Sequence, residues 1–275
     1  MEGWAVVVPV KRLERAKTRL VGAVPGVPHG ELVLAITLDT LAAAGACAAV
    51  ERIVVVSDDP VARRAVTALS DRMAVVPDVP DAGLNPALEY GAAQAAGTAA
   101  GVATLSADLA ALRPGELAAA LEEALAHPRS FVADAAGTGT TLLAARAGTA
   151  LRPEYGPGSA AAHARSGAVP LAGAWPSLRR DLDTPADLYA AAALGLGPRT
   201  AALMAATLNG VQGTVKDFDP ESRSGHVLLD DGSEVVFGTA AFDAGGLRLL
   251  RLGQRVRMES GSDGEVRRIT LVTMP

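Results

Sequence analysis

Short β-branched runs alternate with Ala/Leu-rich helical stretches as far as about residue 197, which restricts most of the chain to an α/β architecture. The expected strands are Ala5–Val10, Arg52–Ser57, Ala74–Val76, Gly101–Leu105, Ser130–Asp134, Thr140–Ala145 and Val169–Ala172. Between them lie helical patterns at Leu32–Ala46, Pro60–Ser70, Asn85–Ala96, Gly115–Ala126, Ser159–Ser166 and Pro185–Leu194. Continuous apolar strands imply a mostly parallel sheet covered on both faces. Ligands of such sheets sit beyond the carboxyl ends of the strands, so the polar residues that follow each strand are the candidates for function.

The pattern changes near residue 209. Five short strands are expected at Gly213–Phe218, His226–Leu229, Glu234–Phe237, Arg255–Ser260 and Glu265–Val272. Asp231-Gly232 and Gly261-Ser262-Asp263-Gly264 read as hairpin turns. This predicts two domains, residues 1–209 and a small β-barrel at 210–275.

Composition removes several classes of function. A net charge of −5 leaves no basic footprint for nucleic acid. One cysteine, Cys47, permits no internal disulfide and fits a reducing compartment. The apolar run Leu32 to Val50 carries Asp39, Thr37 and Thr40, which fits a buried helix better than a membrane span. The expectation is a cytoplasmic protein. Four scattered histidines give neither a zinc site nor a Ser-His-Asp triad.

The loop after the first strand holds Lys11, Arg12, Arg15, Lys17 and Arg19, five cations in nine residues. The chain has only 3 Lys against 22 Arg, so two lysines in one loop favour a phosphate site over a solvated basic turn. The loop lacks the Gly-Lys-Ser/Thr of a P-loop. Asp108 follows the strand Gly101–Leu105, where it suits a metal or ribose contact, a helix cap or an Asx turn. In Arg180-Asp181-Leu182-Asp183-Thr184-Pro185-Ala186-Asp187, the residues Thr184, Pro185 and Asp187 are explained as a helix start. Asp181 and Asp183 are left over, and in an extended segment they face the same way. With Asp108 they make three hard oxygen ligands of the kind Mg²⁺ prefers. Gly137-Thr138-Gly139-Thr140-Thr141 reads as a hairpin or a ligand loop. In Gly156-Pro157-Gly158-Ser159, Ser159 is either an anion contact near a helix start or an ordinary N-cap.

Taken in order, several segments resemble the 2-phospho-L-lactate guanylyltransferase family, including its phosphoenolpyruvate branch in coenzyme F-420 biosynthesis. They are Ala16 to Leu20, Ser57-Asp58-Asp59, Gly83-Leu84-Asn85-Pro86-Ala87-Leu88, Asp108-Leu109, Gly137 to Leu142, Gly156 to Ser159 with His163, and Asp181 to Leu188. The resemblance implies a nucleotide-diphospho-sugar transferase-like three-layer α/β sandwich. It also implies transfer of GMP from GTP to a phosphorylated three-carbon acid, phosphoenolpyruvate or 2-phospho-L-lactate, with release of pyrophosphate. Carried over by position, Asp108, Asp181 and Asp183 hold Mg²⁺, and Asp108, Lys17 and Arg19 serve catalysis. Lys11, Lys17 and Asn85 attend the nucleotide, while Thr140, Thr141, Gly156 and Ser159 contact the acceptor. The family's usual Gly-Asp-Leu-Pro reads Ala107-Asp108-Leu109-Ala110 here. Members are often dimers, so a homodimer is a further implication.

Residues 213–272 resemble a cold-shock (OB) domain in Gly213-Thr214-Val215-Lys216, Phe218, Gly225, Asp230 to Ser233 and Leu252 to Val256. The base-stacking aromatics are mostly replaced: Asp217 takes the place of the usual Trp, and Ser224-Gly225-His226 that of Phe-Gly-Phe. Residues 211–275 hold 8 Lys/Arg and 10 Asp/Glu. A structural module is therefore expected rather than an RNA-binding one. The competing functions are a nucleotidyltransferase for another phosphorylated acceptor and an RNA-binding regulator that uses the barrel.

Overall fold

The computed structural model describes residues 3–272 except 25, 71, 80, 96, 98–99, 209–210, 231 and 261–264, and the side chains at 205–208. The expected boundary at 209, the turn residue Asp231 and the turn at 261–264 lie outside the described residues. Two compact units emerge: Met1–Val21 with His29–Ala201, and Gly22–Pro28 with Ala202–Pro275.

The first unit runs β1 (Trp4–Pro9), α1 (His29–Gly45), β2 (Val50–Val56), α2 (Pro60–Thr67), β3 (Met73–Val76), α3 (Leu84–Gln94), β4 (Gly101–Leu105), α4 (Pro114–Ala124), β5 (Arg129–Ala133), β6 (Thr140–Arg146), α5 (Ser159–Arg165), β7 (Val169–Pro170), α6 (Pro176–Arg179) and α7 (Pro185–Leu194). Its seven strands are ordered β3-β2-β1-β4-β6-β5-β7. All neighbours are parallel except β6, which is antiparallel to both β4 and β5. The expected mostly parallel sheet is present.

Strand β1 shows why the sheet is covered twice. Val6 and Val8 pack with Leu38 and Leu41 of α1 and Leu117 and Leu121 of α4. Ala5 and Val7 pack the other way, with Ala87 and Leu88 of α3. All four strand residues are fully buried, each valine contributing about 1.5–3 kcal/mol of apolar burial. Helix α3 lies so close that a Cβ on Gly91 would come within 2.5 Å of Val7 Cγ1. These are the three layers that the sequence implied.

Asp39, the polar break in the long apolar run, is buried on α1. Its carboxylate accepts from the amides of Arg199 (3.2 Å) and Thr200 (2.7 Å), capping the helix that begins at Pro198. Asp39→Ala is expected to cost about 2 kcal/mol, the upper end of the capping range, because both amides lose a charged acceptor. Chemical denaturation would measure it, and a loss below about 0.5 kcal/mol would show that the cap is dispensable. Among the described residues, no helix is long and apolar enough to cross a membrane.

The second unit contains α8 (Pro198–Leu208, from Ala202 on), β8 (Val211–Asp219), β9 (Ser224–Leu229), β10 (Glu234–Phe237), α9 (Thr239–Ala244), β11 (Arg255–Ser260) and β12 (Val266–Leu271). All five expected strands form, in an antiparallel sheet ordered β10-β9-β8-β11-β12. Phe237 of β10 and Ile269 of β12, from the two ends of that order, share one apolar cluster with Val215, Val227 and Met258. Helix α9, absent from the sequence reading, buries Ala241 and Phe242, and Phe218 stacks on Phe242 at 5.0 Å. Asp217 is exposed and pairs with His226 (2.8 Å), and Lys216 pairs with Glu234 (2.5 Å). The Asp217–His226 pair thus occupies two positions where the cold-shock pattern has aromatics.

Candidate active site

A cleft of about 560 Å³ opens in the first unit at the carboxyl ends of β1 and β4. Its lining includes Lys11, Arg15, Lys17 and Arg19 from the loop after β1, Asp108 from the loop after β4, and Asp181 and Asp183 from the segment before α7. On the same lining are Thr140, Tyr155, Gly156 and Ser159.

The basic loop is anchored by its apolar residues. Leu13 and Leu20 are buried, and the Leu13 amide donates to Asp59 Oδ2 at 3.0 Å. Asp59 also caps α2 by accepting from Val61 and Ala62. Burial would raise its pKa, but these three backbone donors and Arg12 nearby hold it below the usual carboxylate value. The same side chain thus caps a helix and holds a loop 46 residues away. Lys11, Arg15 and Arg19 are exposed and make no ion pair among the described residues.

Lys17, expected to attend the nucleotide, lines the cleft and is held by carboxylates. It adopts a left-handed backbone (φ 53°), and its ammonium pairs with Asp108 and, at 2.5 Å, with Asp183. Burial alone would lower its pKa, but the two carboxylates outweigh that and hold it charged. The fold thus brings a lysine to Asp183 from 166 residues away.

The three carboxylates each present an oxygen within 4.8 Å of the others. Leu182 between them is fully buried, so Asp181 and Asp183 point together as the two-residue period predicted. The Leu182 amide donates to the Asp108 carbonyl (3.2 Å), which locks the two segments together. The Leu109 amide donates to Thr40 Oγ1 of α1 (2.9 Å), fixing the other side of Asp108. Asp108 Oδ1 is buried with no hydrogen-bond partner. A charged acceptor in that position is costly unless a cation meets it, and three carboxylate oxygens are a hard-cation donor set. The residues therefore fit a divalent metal.

Asp181 pays for its surroundings in its pKa, which burial first, then Asp108 and Asp183, push up to about 7, against the opposing pull of Lys17. Between about pH 4 and 7 the folded chain holds a proton that the unfolded chain releases, so this group's contribution falls as pH rises. Asp181→Asn is expected to raise the Tm of metal-free protein at pH 8 by about 4 °C and to give little gain at pH 4. The same change weakens divalent-cation binding. Melting in a chelator at both pH values tests this; an equal or lower Tm at pH 8 counts against it.

The opposite part of the lining is built on Tyr155. Its buried hydroxyl meets Thr104 Oγ1 at 2.7 Å, and burial raises its pKa. Asn85 brackets its backbone, accepting from the Tyr155 amide (2.8 Å) and donating to its carbonyl (3.1 Å). The Asn85 amide thus holds the segment leading into Gly156 and is not among the cleft-lining groups, unlike its expected nucleotide role. Thr141 also departs from expectation. It lies at a register shift, where Val132 pairs with Leu142 and Ala133 with Thr140, and its hydroxyl donates to Val132 O at 3.5 Å. Ser159 is not the N-cap of α5; Gly158 is, and the Ser159 hydroxyl donates to Thr140 Oγ1 at 3.2 Å. Asp134, which sequence reading did not single out, also lines the cleft. Its oxygens accept from Thr138 N (2.9 Å) and Gly139 N (2.8 Å), and a Cβ on Gly139 would collide with it.

The family model described as "Guanylyl transferase CofC like" matches residues 4–168. A phosphoenolpyruvate guanylyltransferase of Geodermatophilus obscurus is 57% identical over 209 residues, covering 74% of this chain and 95% of that protein. One from Thermomonospora curvata is 57% identical over 205 residues, covering 74% and 89%. A solved structure from Desulfovibrio desulfuricans G20, described as a nucleotide-diphospho-sugar transferase, superposes with a TM-score of 0.53 at 16% identity. It covers 75% of this chain and 98% of that one and supports the fold alone. On its sequence, the chain belongs to the CofC-like guanylyl transferase family.

Proposed function

We propose that the cleft transfers GMP from GTP to phosphoenolpyruvate and releases pyrophosphate, a step of coenzyme F-420 biosynthesis. The observation that carries this reading is the meeting of three carboxylates and a cationic loop in one cleft. The activity named for relatives at 57% identity supports the choice of nucleotide and acceptor. Lys11, Arg15 and Arg19 are available to neutralise a triphosphate. The acceptor phosphate, with a second pKa of about 6, is already anionic near pH 7 and attacks without a general base. Catalysis then consists of positioning and charge neutralisation. Mg²⁺ held by Asp108, Asp181 and Asp183 would supply the latter at the phosphates. Thr140, Gly156 and Ser159 are placed to receive the acceptor.

Pyrophosphate release should be measured with GTP, ATP and CTP against phosphoenolpyruvate, 2-phospho-L-lactate, 3-phosphoglycerate and a sugar phosphate, with Mg²⁺ present. The expected result is release with GTP and phosphoenolpyruvate. Release that requires a sugar phosphate, or none with any pair, would overturn it.

We further infer that residues 210–275 form a cold-shock-like module with a structural role. The strand order and the ion pairs Lys216–Glu234 and Asp217–His226 support this over an RNA platform. Saturable binding of single-stranded RNA by the full chain at low salt would contradict it.

A further inference from the structure

His163 is fully buried on α5, outside the charged part of the cleft. Its ring is held by Tyr155, edge-on at 5.1 Å, and by Phe131 at 5.8 Å. Both ring nitrogens are engaged: Nε2 lies 2.9 Å from the Glu154 amide and Nδ1 lies 2.9 Å from Thr140 Oγ1.

These contacts fix the positions of the protons. A backbone amide can only donate, so Nε2 is an acceptor and carries no hydrogen. Burial, and then the charge of Arg129, lower the imidazole pKa to about 4, so the ring is neutral at ordinary pH. The single ring hydrogen is therefore on Nδ1 and is donated to Thr140 Oγ1. Thr140 Oγ1 accepts a second bond from the Ser159 hydroxyl at 3.2 Å. A hydroxyl oxygen has two lone pairs and one hydrogen. With both lone pairs occupied, the Thr140 hydroxyl hydrogen is the one left to donate. Thr140 lines the cleft beside Gly156 and Ser159.

We propose that His163 is a positioning residue that, through Thr140, presents a pre-oriented hydroxyl donor to an anionic group of the acceptor. This rests on the acceptor reading given above. A donor whose orientation is fixed before binding loses no ordering entropy on contact and rejects ligands that present another donor there. The Glu154 amide matters equally, since it selects the tautomer that makes Thr140 a donor.

The test is steady-state turnover with GTP and phosphoenolpyruvate for His163→Leu, His163→Asn, Thr140→Val and the double variant Thr140→Val/His163→Leu. His163→Leu is expected to raise the acceptor KM by about tenfold, the loss of one hydrogen bond to a charged group, and to leave the KM for GTP within about twofold. His163→Asn keeps an amide donor near the Nδ1 position and should restore most of the loss. In the Thr140→Val background, His163→Leu should add nothing. An effect that persists there, or that falls equally on both KM values, would mean a purely structural histidine and overturn the inference. Independently of turnover, ¹⁵N shifts of the His163 ring should report the Nδ1–H tautomer; the Nε2–H form would also overturn it. If no phosphorylated acid is used by the unaltered protein, the functional reading fails, and the tautomer result still decides the proton arrangement.

Discussion

Asp108→Asn is expected to lower turnover by roughly 10³-fold while the protein still folds. The side chain is buried, one oxygen pairs with Lys17, and the other has no partner. Removing its charge takes the most enclosed ligand from the carboxylate set and releases the Lys17 ammonium from half of its pairing. The loop itself keeps its shape because it is tied through backbone groups. Leu109 N donates to Thr40, Leu182 N donates to the Asp108 carbonyl, and Ser106 N donates to Thr141 O. Relief of repulsion with Asp181 offsets part of the loss at Lys17, so the Tm should move little. Pyrophosphate release beside circular dichroism and melting would check both halves. Retention of more than about a tenth of the turnover would remove Asp108 from the catalytic set, since one essential charged group is worth more than that.

The largest expected effect on stability is at Arg129, which is not among the cleft-lining residues. Among the described residues its guanidinium has no carboxylate partner within salt-bridge distance. It donates instead to Leu151 O (2.9 Å), Arg152 O (2.9 Å), Ser166 O (3.0 Å) and Ser166 Oγ (3.2 Å). Burial and the charge of Arg152 lower its pKa, with Glu154 opposing them, yet a guanidinium stays charged. Arg129→Met retains the stem volume and strips donors from three backbone carbonyls, which should cost about 3 kcal/mol. A Tm lower by about 6–10 °C is the corresponding shift for a unit of this size. The segment these bonds pin leads directly to Tyr155 and Gly156, so the acceptor KM should rise as well. A Tm change under about 2 °C would show that solvent replaces the lost donors freely.

The order of strands and helices was legible because it depends on local pattern. So was the common direction of Asp181 and Asp183, which follows from the strand period and needs only Leu182 to be buried. Thr141 was misplaced because the matching motif covered Thr140 and Thr141 alike, and the register shift opposite Val132 and Ala133 interrupts the strand period there. What sequence could not supply were partners brought from afar. Lys17 meets Asp183 across 166 residues and Tyr155 meets Asn85 across 70, and neither distance leaves a mark on its neighbours. Asp134 was hidden by its position at the end of an expected strand, where a polar residue is unremarkable. Helix α9 was missed because six residues carry too little periodicity, and only the burial of Ala241 and Phe242 against the second sheet stabilises it.

Strand β6 runs against its neighbours, and that reversal has a consequence for how the site can change over time. The first residue of β6, Thr140, pairs beside β5, and Leu142 pairs with Leu105, so the start of β6 reaches the rim where β4 ends. Strands β1, β4 and β5 deliver cleft-lining residues at their exits; β6 delivers Thr140 at its entrance. The Thr140 hydroxyl is thus attached to a hairpin of residues 134–139, whereas Asp108 and the basic residues hang on longer connections, residues 106–113 and 10–28. Insertions in those connections could retune the nucleotide side while the hairpin stays fixed in length by Asp134 and Gly139. Diversification of such a scaffold should therefore be uneven, with acceptor recognition drifting through side-chain replacement and nucleotide recognition through loop growth.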